Sequence, residues 1–443
     1  MTPGATYQAV LDLLVLYERD TRPVDVTIAA YMKERRYIGS RDRRDVTSIV
    51  YEVIRHWALI HWKTELGGQS PHVISGLTGA RIRLITYLTL VKEFPQSHIA
   101  VIFNGQLYHP LPLEQSEKRL IASFEKTPPI DEAPLWVKGE CPQWLWPLLQ
   151  QHYGEETPAL LASLNKEATF DVRVNTLKTE RRALIDLLKE EEGQVATPTP
   201  LSPVGLRFDD RLPVGSWEIF QAGYFDVQDE GSQLAALMVE ALPGQFILDL
   251  CAGAGGKTLA MAADMQNKGR MLATDTYKWR LNRAGERLRR AGVHNVECKA
   301  LDEGEGLPKW LKRQKGHFDR VLVDAPCSGT GTWRRNPDAK WRLSAQELTS
   351  LQGIQQDILM RAAPLVRLRG RLIYVTCSLL KEENEQQVEK FLAMQPDFTL
   401  LPCEDIWRRI ADAPYPAQGS YLNLRPDIHG TDGFFVAVLQ KTT

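Results

Sequence analysis

Cysteine is scarce in this chain, and its pattern argues against several kinds of site. The chain has 443 residues, and its six cysteines are Cys141, Cys251, Cys298, Cys327, Cys377 and Cys403. No C-x-x-C pair occurs and no histidine cluster has zinc-ligand spacing, so we expect no bound metal and no disulfide framework. Few, unpatterned cysteines in a long chain are typical of a reducing compartment, and we expect a cytoplasmic protein.

Long apolar runs and a strong net charge are also missing. No apolar run reaches the roughly 18 residues of a membrane span, and the N-terminus lacks the basic start of a secretory signal. We therefore expect no membrane partner. The formal net charge is −1, yet basic side chains outnumber acidic ones in residues 31–63 and 270–342. Such patches attract a polyanion, although they are equally typical of solvated helix faces.

Three stretches of the chain differ in pattern. Apolar residues at three-to-four spacing predict an all-α domain over residues 1–128, and a proline-rich linker follows. A small α+β module is predicted over 135–215, with strands at 170–175 and 205–208. From 216 to 443, short apolar runs alternate with helical patterns. That alternation predicts an α/β domain of βαβ units around a mostly parallel sheet.

Ligands of open α/β sheets bind beyond the carboxyl ends of the strands, so the residues after each predicted strand are the candidates for chemistry. The strands predicted in the last region are 246–251, 270–275, 296–300, 320–325, 371–377 and 433–440.

The first of these strands leads into the glycine-rich segment "DLCAGAGGKT". A phosphate-binding P-loop would need glycine where Cys251 stands, and a dinucleotide fingerprint would need glycine where Thr258 stands. The turn therefore suits a different adenosyl ligand. Asp275 ends the second strand, where its carboxylate could accept hydrogen bonds from ribose or could instead cap the next helix. Asp302 follows the third strand and is a weaker candidate.

The fourth and fifth strands deliver two thiols and a carboxylate. Asp324 and Cys327 follow one strand, and Cys377 follows the next. If these strands are neighbours, about 4.8 Å apart, the three groups face one crevice. A thiolate, a carboxylate and an adenosyl ligand together fit methyl transfer to carbon 5 of a pyrimidine. Thiolate addition to carbon 6 activates that carbon, and a carboxylate can stabilise the adduct. Lys257 is a candidate for activating a thiol. These arguments leave open which cysteine attacks.

Several segments in order carry a resemblance to a known family. "DLCAGAGGKT", "VDAPCSGTGTWRRNPDAKWR", "YVTCSLLKEENEQQV" and "HGTDGFFVAVL" resemble the signature blocks of the RsmB/Nop/Sun family of RNA cytosine-5 methyltransferases. The resemblance implies a Rossmann-like S-adenosylmethionine-dependent domain over 216–443, with a mostly parallel seven-stranded sheet. "FDVRVNTLK" resembles the RRM-like module that precedes it, here 135–215. "RDRRDVTSIVYEVIRHWALIHW" resembles a NusB-like RNA-binding domain, here 1–128.

The resemblance also assigns roles. It implies that Cys377 attacks the base and that Cys327 helps to release the product, with Asp324 and Lys257 completing the catalytic set. The S-adenosylmethionine site would comprise Cys251, Ala252, Gly253, Ala254, Gly255, Gly256, Lys257, Asp275, Asp302 and Asp324. The family usually has proline where this chain has Ala254, so the turn should be slightly looser here.

The expected substrate is a cytidine of 16S ribosomal RNA, and the expected oligomeric state is a monomer. A transfer RNA substrate fits the same motifs. A non-catalytic NusB-like RNA-binding or assembly factor is the alternative from another class. Trp333 and Trp341 are candidates for stacking on RNA bases, and Arg334 and Arg335 are candidates for contacting phosphates.

Overall fold

The chain forms two compact units. The computed structural model describes residues 1–69, 75–301 and 309–443. Unit 1 comprises Met1–Asn165 and Arg335–Leu343, and unit 2 comprises Lys166–Arg334 and Ser344–Thr443. In these described ranges no helix is both long and apolar enough to cross a membrane. The three-part division of the sequence stays a prediction.

The helices of unit 1 up to residue 165 are α1 (Pro3–Arg19), α2 (Val24–Glu34), α3 (Ser40–Arg55), α4 (Trp57–Leu66), α5 (Gly76–Leu90), α6 (Gln96–Ile102), α7 (Gln115–Ser123), α8 (Leu135–Lys138), α9 (Trp146–Tyr153) and α10 (Thr157–Leu164). The later helices of unit 2 begin with α11 (Arg181–Glu191), α12 (Glu218–Gln221), α13 (Glu230–Leu237), α14 (Gly256–Asp264), α15 (Lys278–Ala291) and α16 (Lys309–Lys312). The short α17 (Ala339–Arg342) belongs to unit 1, and α18 (Ala345–Ala362), α19 (Glu385–Met394), α20 (Cys403–Ile410) and α21 (Pro426–His429) belong to unit 2.

Unit 1 is held together by the apolar faces of its helices. Helix α1 starts where Thr2 accepts a hydrogen bond from the N–H of Ala5 at 3.3 Å, a favoured N-cap arrangement. Its apolar face packs against α3 and α5 in a single core. The long apolar pattern over residues 46–66 is divided at His56, between α3 and α4.

Unit 2 contains a small antiparallel sheet. Its strands are β1 (Phe170–Val174), β2 (Thr197–Pro198), β3 (Gly205–Phe208) and β4 (Phe225–Val227), in the order β2-β3-β1-β4. Helix α11 packs its Leu184 and Leu188 into the same core as Val172 of β1. The predicted strands at 170–175 and 205–208 correspond to β1 and β3.

The large sheet of unit 2 carries the carboxyl-end groups predicted from the sequence. Its strands are β5 (Phe246–Asp249), β6 (Arg270–Asp275), β7 (Val296–Ala300), β8 (Phe318–Asp324), β9 (Val366–Thr376), β10 (Phe398–Leu401), β11 (Leu422–Leu424) and β12 (Phe434–Lys441). In the described chain the order is β10-β12-β9-β8-β5-β6-β7, with β11 paired to β12. Strands β5 to β9 pair in parallel, and β10, β11 and β12 pair antiparallel.

The central strands are covered on both faces. Val321 and Val323 of β8 lie in one apolar core, and Leu322 between them lies in the other, as expected from the two-residue period of a strand. Continuous apolar runs such as "RVLVDA" are therefore typical of this sheet. The predicted α/β class with a mostly parallel sheet is confirmed.

The sequence patterns missed four short strands, β2, β4, β10 and β11. Each has two to four residues, too few for an alternating pattern to stand out. Strand β9 also begins earlier than the predicted residue 371, at Val366. The added residues run past Arg369, whose φ is +63°, and pairing with β8 is irregular there.

Candidate active site

Two thiols meet at the carboxyl ends of neighbouring parallel strands. Strands β8 and β9 pair in parallel, with Asp324 opposite Val375, so the residues that follow the two strands emerge side by side. The Sγ atoms of Cys327 and Cys377 are 3.5 Å apart, and both side chains are half-buried. The structure thus brings together the two cysteines that the sequence picked out.

Backbone contacts fix the two cysteine loops against each other. The N–H of Gly331, in the loop after Cys327, donates to the carbonyl of Cys377 at 2.9 Å. The N–H of Gly433 donates in turn to the carbonyl of Gly331 at 2.9 Å. A Cβ atom on Gly331 would lie 2.3 Å from the oxygen of Gly433, so this approach requires glycine.

A lysine–carboxylate pair lies beside the thiols. The Nζ of Lys257 donates to Oδ2 of Asp324 at 2.7 Å. The lysine is buried, and the Asp324 side chain is 33% exposed. Burial acts to lower the pKa of Lys257, but the charge of Asp324 and the hydrogen bond to it outweigh burial and raise that pKa. A thiolate at Cys377 acts on Lys257 in the same direction, so a fixed ammonium stands near this sulfur.

The glycine-rich turn after β5 is built on left-handed backbone. Gly253 has φ +55° and Gly255 has φ +80°, conformations that glycine adopts without strain. A Cβ atom on Gly255 would lie 2.9 Å from that of Ala284 in α15. The turn therefore depends on glycine both for its dihedral angles and for its packing.

Asp275 connects the ends of β5 and β6. Its Oδ2 accepts from the N–H of Gly253 at 2.9 Å, and its Oδ1 accepts from the N–H of Tyr277 at 2.7 Å. Helix α15 begins at Lys278 with Tyr277 as its N-cap residue. The alternative that Asp275 caps this helix is therefore wrong, and its carboxylate is held facing the glycine turn.

Sequence reasoning missed Asp249, the last residue of β5. Its Oδ2 accepts from the hydroxyl of Thr258 at 2.6 Å, whereas its buried Oδ1 has no hydrogen-bond partner within the described part of the chain. Burial raises the pKa of Asp249 to about 7, and the negative charges of Asp324 and Asp275 add to this effect. Its position at a strand end, directly before the glycine turn, is the signal that could have identified it.

Sequence reasoning also missed Glu383, which lies in the loop between β9 and α19. This side chain is 0% exposed and accepts hydrogen bonds from both cysteine loops. Its Oε1 accepts from the N–H of Ser328 at 2.9 Å, and its Oε2 accepts from the hydroxyls of Ser328 and Ser378. Each serine directly follows a cysteine.

Two of the candidate RNA-contacting residues, Trp333 and Arg334, are buried. Trp333 is 1% exposed, so its ring is enclosed by packing and is not available to stack on a base. Arg334 is also buried, and its guanidinium donates to Asp432 at 2.9 Å. The prediction that these two residues contact RNA is wrong for this structure.

The remaining predicted residues have different surroundings. Arg335 is half-buried in unit 1. Trp341 belongs to the same unit, where its Nε1 donates to the carbonyl of Ile54 at 2.8 Å. Asp302 lies outside the described residues. Among the residues that are described, no group of three or more His, Cys, Asp or Glu side chains could hold a metal ion.

Comparisons with known proteins place this site in a family. The family described as 16S rRNA methyltransferase RsmB/F matches residues 236–440, which include both cysteines and the glycine turn. A ferredoxin-like domain of RsmF/B-like methyltransferases matches residues 141–215, the region of the small antiparallel sheet.

Individual relatives extend the match over the whole chain. A protein of Synechocystis, named a probable ribosomal RNA small subunit methyltransferase B, is 30% identical, and the alignment covers 99% of both chains. The crystal structure of a protein called PH0851 is 28% identical, with a TM-score of 0.76 over 100% of this chain and 99% of that one. A methyltransferase homologue from Pyrococcus horikoshii is 26% identical, with a TM-score of 0.59 over 69% of this chain and 97% of its own. The chain therefore belongs to the RsmB/F family of S-adenosylmethionine-dependent methyltransferases.

Proposed function

We propose that this enzyme forms 5-methylcytosine in RNA, with 16S ribosomal RNA as its substrate, through a covalent bond between Cys377 and carbon 6 of the cytosine. The observation that carries the proposal is the pair of thiols 3.5 Å apart beside the ion pair of Lys257 and Asp324. The name of the Synechocystis relative, probable ribosomal RNA small subunit methyltransferase B, supports the choice of RNA.

The residues around the glycine turn fit S-adenosylmethionine. A Cβ atom placed on Gly253 would meet no atom of the described chain within 4 Å, so space is open there for a ligand. The unpartnered Oδ1 of Asp249 and the carboxylate of Asp275 offer acceptors at the ends of β5 and β6. We propose that residues 251–257, Asp249 and Asp275 hold the cofactor, which supplies an electrophilic methyl group when bound.

Cys377 is the proposed nucleophile. Its sulfur must be a thiolate to form a bond to carbon 6, and a nearby cation favours that form. Lys257 supplies this charge, because its hydrogen bond to Asp324 holds the ammonium in place and the charge of Asp324 keeps it ionised. When the sulfur–carbon bond forms, the electron pair of the 5,6 double bond becomes available at carbon 5 for methylation.

Asp324 is proposed to stabilise the altered base. Addition to carbon 6 makes N3 more basic, and once N3 has taken a proton from water, its N–H can donate a hydrogen bond to a carboxylate. A carboxyl group that is one-third exposed at the mouth of the site can approach the base edge, while its other oxygen remains bonded to Lys257. Such preorganised polar groups stabilise charge that develops during reaction.

Cys327 is proposed to assist the last step. After methylation, a water molecule at the partly open site takes the proton of carbon 5. The electron pair of that C–H bond re-forms the 5,6 double bond, and the sulfur–carbon bond breaks so that Cys377 leaves as a thiolate. The hydrogen bond between Cys327 and Cys377, burial and the nearby negative charges raise the pKa of Cys327 well above its ordinary value. Cys327 is then a thiol, which can donate a hydrogen bond to the departing sulfur 3.5 Å away.

A direct assay tests the proposed product. The enzyme is incubated with S-adenosylmethionine labelled in its methyl group and with 16S ribosomal RNA from cells that lack the enzyme, and the RNA is digested to nucleosides. We expect the label in 5-methylcytidine, with no transfer by Cys377→Ala and normal transfer by the control Cys298→Ala, whose thiol is exposed. Label in another nucleoside would contradict the proposal. If transfer RNA from the same cells, assayed in parallel, took up label while 16S ribosomal RNA did not, transfer RNA would be the substrate instead.

A further inference from the structure

A buried carboxylate connects the two cysteine loops from behind. Glu383 is fully buried and is bonded to Ser328 and Ser378, which follow Cys327 and Cys377 in sequence. Its Oε1 also accepts from Nε2 of Gln355 at 2.9 Å. The proposed chemistry does not use this side chain, although it bonds to the serine that follows each of the two cysteines.

We propose that Glu383 is a positioning residue that holds the two cysteine loops together and keeps Cys327 in its thiol form, so that Cys377 is the sulfur that attacks. This inference rests on the proposed function, because it explains how two adjacent thiols come to have different roles in one reaction.

The groups bonded to Glu383 match a carboxylate acceptor. The groups bonded to it are the N–H of Ser328, the hydroxyls of Ser328 and Ser378, and the amide of Gln355. All of these groups can donate, and an ionised carboxylate accepts at both oxygens. Charge-assisted bonds of this kind compensate for burying the charge. A neutral glutamine would keep one acceptor and present an N–H₂ group where the other oxygen stood.

The hydroxyls of the network also bond to the backbone of the loop after Cys377. The Ser378 hydroxyl accepts from the N–H of Leu380 at 3.0 Å, and Thr330 accepts from the N–H of Leu379 at 2.8 Å. The hydroxyl oxygens of Thr330 and Ser378 are 3.2 Å apart. The loop after Cys327 and the loop after Cys377 therefore share one hydrogen-bonded network with Glu383 at its centre.

The two thiols have opposite electrostatic neighbours. The charged and titratable groups that act on Cys327 are Cys377 and Glu383, and both raise the pKa of its thiol. Cys327 and Glu383 both raise the pKa of the buried phenol of Tyr374. On the other side, the ammonium of Lys257, held by Asp324, interacts with Cys377. The anion near Cys327 favours its thiol form, and the ammonium of Lys257 lies near the sulfur that is proposed to attack.

The pH dependence of thiol alkylation tests this inference. Full-length enzyme is treated with iodoacetamide across a pH series, and the modification of Cys327 and Cys377 is read separately by peptide mass spectrometry. In the wild type, Cys377 should react first near neutral pH. In Glu383→Gln, the midpoint for Cys327 should fall by about one pH unit, and its rate at neutral pH should rise about tenfold.

The chain offers a matched control for this charge change. Glu389 lies in α19, six residues beyond Glu383, and its side chain is exposed. Glu389→Gln should leave the alkylation midpoints and the methyl-transfer rate unchanged. A folded Glu383→Gln enzyme whose Cys327 midpoint equals that of the wild type would overturn the electrostatic part of the proposal.

Ser378→Ala separates position from charge and covers the case in which Glu383→Gln does not fold. It removes one donor and leaves the carboxylate in place, so the Cys327 midpoint should stay high while methyl transfer falls about tenfold. A folded Ser378→Ala enzyme with an unchanged rate would contradict the positioning role. Because alkylation needs neither RNA nor cofactor, a wrong RNA substrate or product would leave the alkylation results intact and would show only in the nucleoside assay.

Discussion

Two lysine–carboxylate pairs in this protein differ in charge, because one is an ion pair and the other tends towards neutrality. In unit 2, Lys257 bonds directly to Asp324 at 2.7 Å, and the carboxylate is partly open to water. In unit 1, Lys340 and Glu140 are both buried. There the Nζ of Lys340 donates to the side-chain oxygen of Asn165 at 2.9 Å.

Glu140 has its own partners in unit 1. Its carboxylate accepts from the backbone N–H groups of Ala58 and Leu59 in the first turn of α4, at 2.9 and 3.3 Å. This placement satisfies donors that the start of a helix leaves unpaired. Glu140 therefore anchors a helix, whereas Asp324 faces the reactive thiols.

The surroundings of each pair set its charge. Burial lowers the pKa of Lys340 to about 8 and raises the pKa of Glu140 to about 8. For Lys257, the contact with Asp324 outweighs burial, and its pKa is raised. A direct bond with some access to water thus preserves a working ion pair, while an enclosed pair with other partners tends towards neutrality.

The largest effect is expected from breaking the pair in unit 2. Lys257→Met removes the ammonium that favours the Cys377 thiolate and holds Asp324, so the initial rate of methyl transfer should fall by about 10²–10³-fold. Labelled-methyl incorporation into RNA measures the rate. Lys268→Met, an exposed lysine just beyond the same helix, is the control and should retain full activity. A Lys257→Met rate close to that of the wild type would remove the distinction between the two pairs.

Breaking the pair in unit 1 should affect stability instead. Lys340→Met removes the bond to Asn165 and the cation near Glu140, and we expect a loss of about 2–3 kcal/mol in the free energy of unfolding. Because Glu140 can take up a proton, the loss should be smaller than for a carboxylate forced to stay charged. Urea unfolding followed by circular dichroism gives the value. The double variant Lys340→Met, Glu140→Gln should recover part of the loss, and no recovery would contradict the coupling.

The smallest effect concerns pH. The pKa of Glu140 is raised from an ordinary value near 4.5 to about 8, so between these values the unfolded chain is ionised while the folded chain keeps the proton. Unfolding then releases a proton, and stability falls as pH rises through this window. The titration of Lys340 contributes to the pH dependence of stability only above about pH 8.

Comparing wild type with Glu140→Gln isolates this dependence. Between pH 5.5 and 6.5, the unfolding free energy of the wild type should decline relative to the variant by about 1 kcal/mol. Parallel curves for the two proteins, or a relative rise for the wild type, would show that Glu140 is ionised in the folded state throughout this range.

The sequence predicted much of the sheet and of the thiol site. The strands 270–275 and 296–300 match β6 and β7 residue for residue, and β6 is buried at five of its six residues, as expected for a parallel strand. Cys327 and Cys377 could be placed together because parallel strands end at one edge. The apolar pattern of a single strand does not show, however, which strand will pair with it. That β8 and β9 are neighbours came from the structure.

The rest depended on contacts between residues far apart in sequence. Trp333 and Arg334 belong to a basic stretch that suggested RNA contact. The guanidinium of Arg334 instead donates to Asp432, about a hundred residues later in the chain. Glu383 is one of many acidic residues in the chain, and only its bonds to Ser328 and Ser378 distinguish it. Local composition does not reveal such long-range partners.

In the proposed reaction, Cys377 forms the covalent bond and Cys327 assists its release. A denaturing gel of each variant, after incubation with S-adenosylmethionine and labelled substrate RNA, tests these two roles. We expect a slowly migrating protein–RNA species that accumulates with Cys327→Ala and is absent with Cys377→Ala. Accumulation with Cys377→Ala, and none with Cys327→Ala, would contradict this proposal and reverse the roles of the two cysteines.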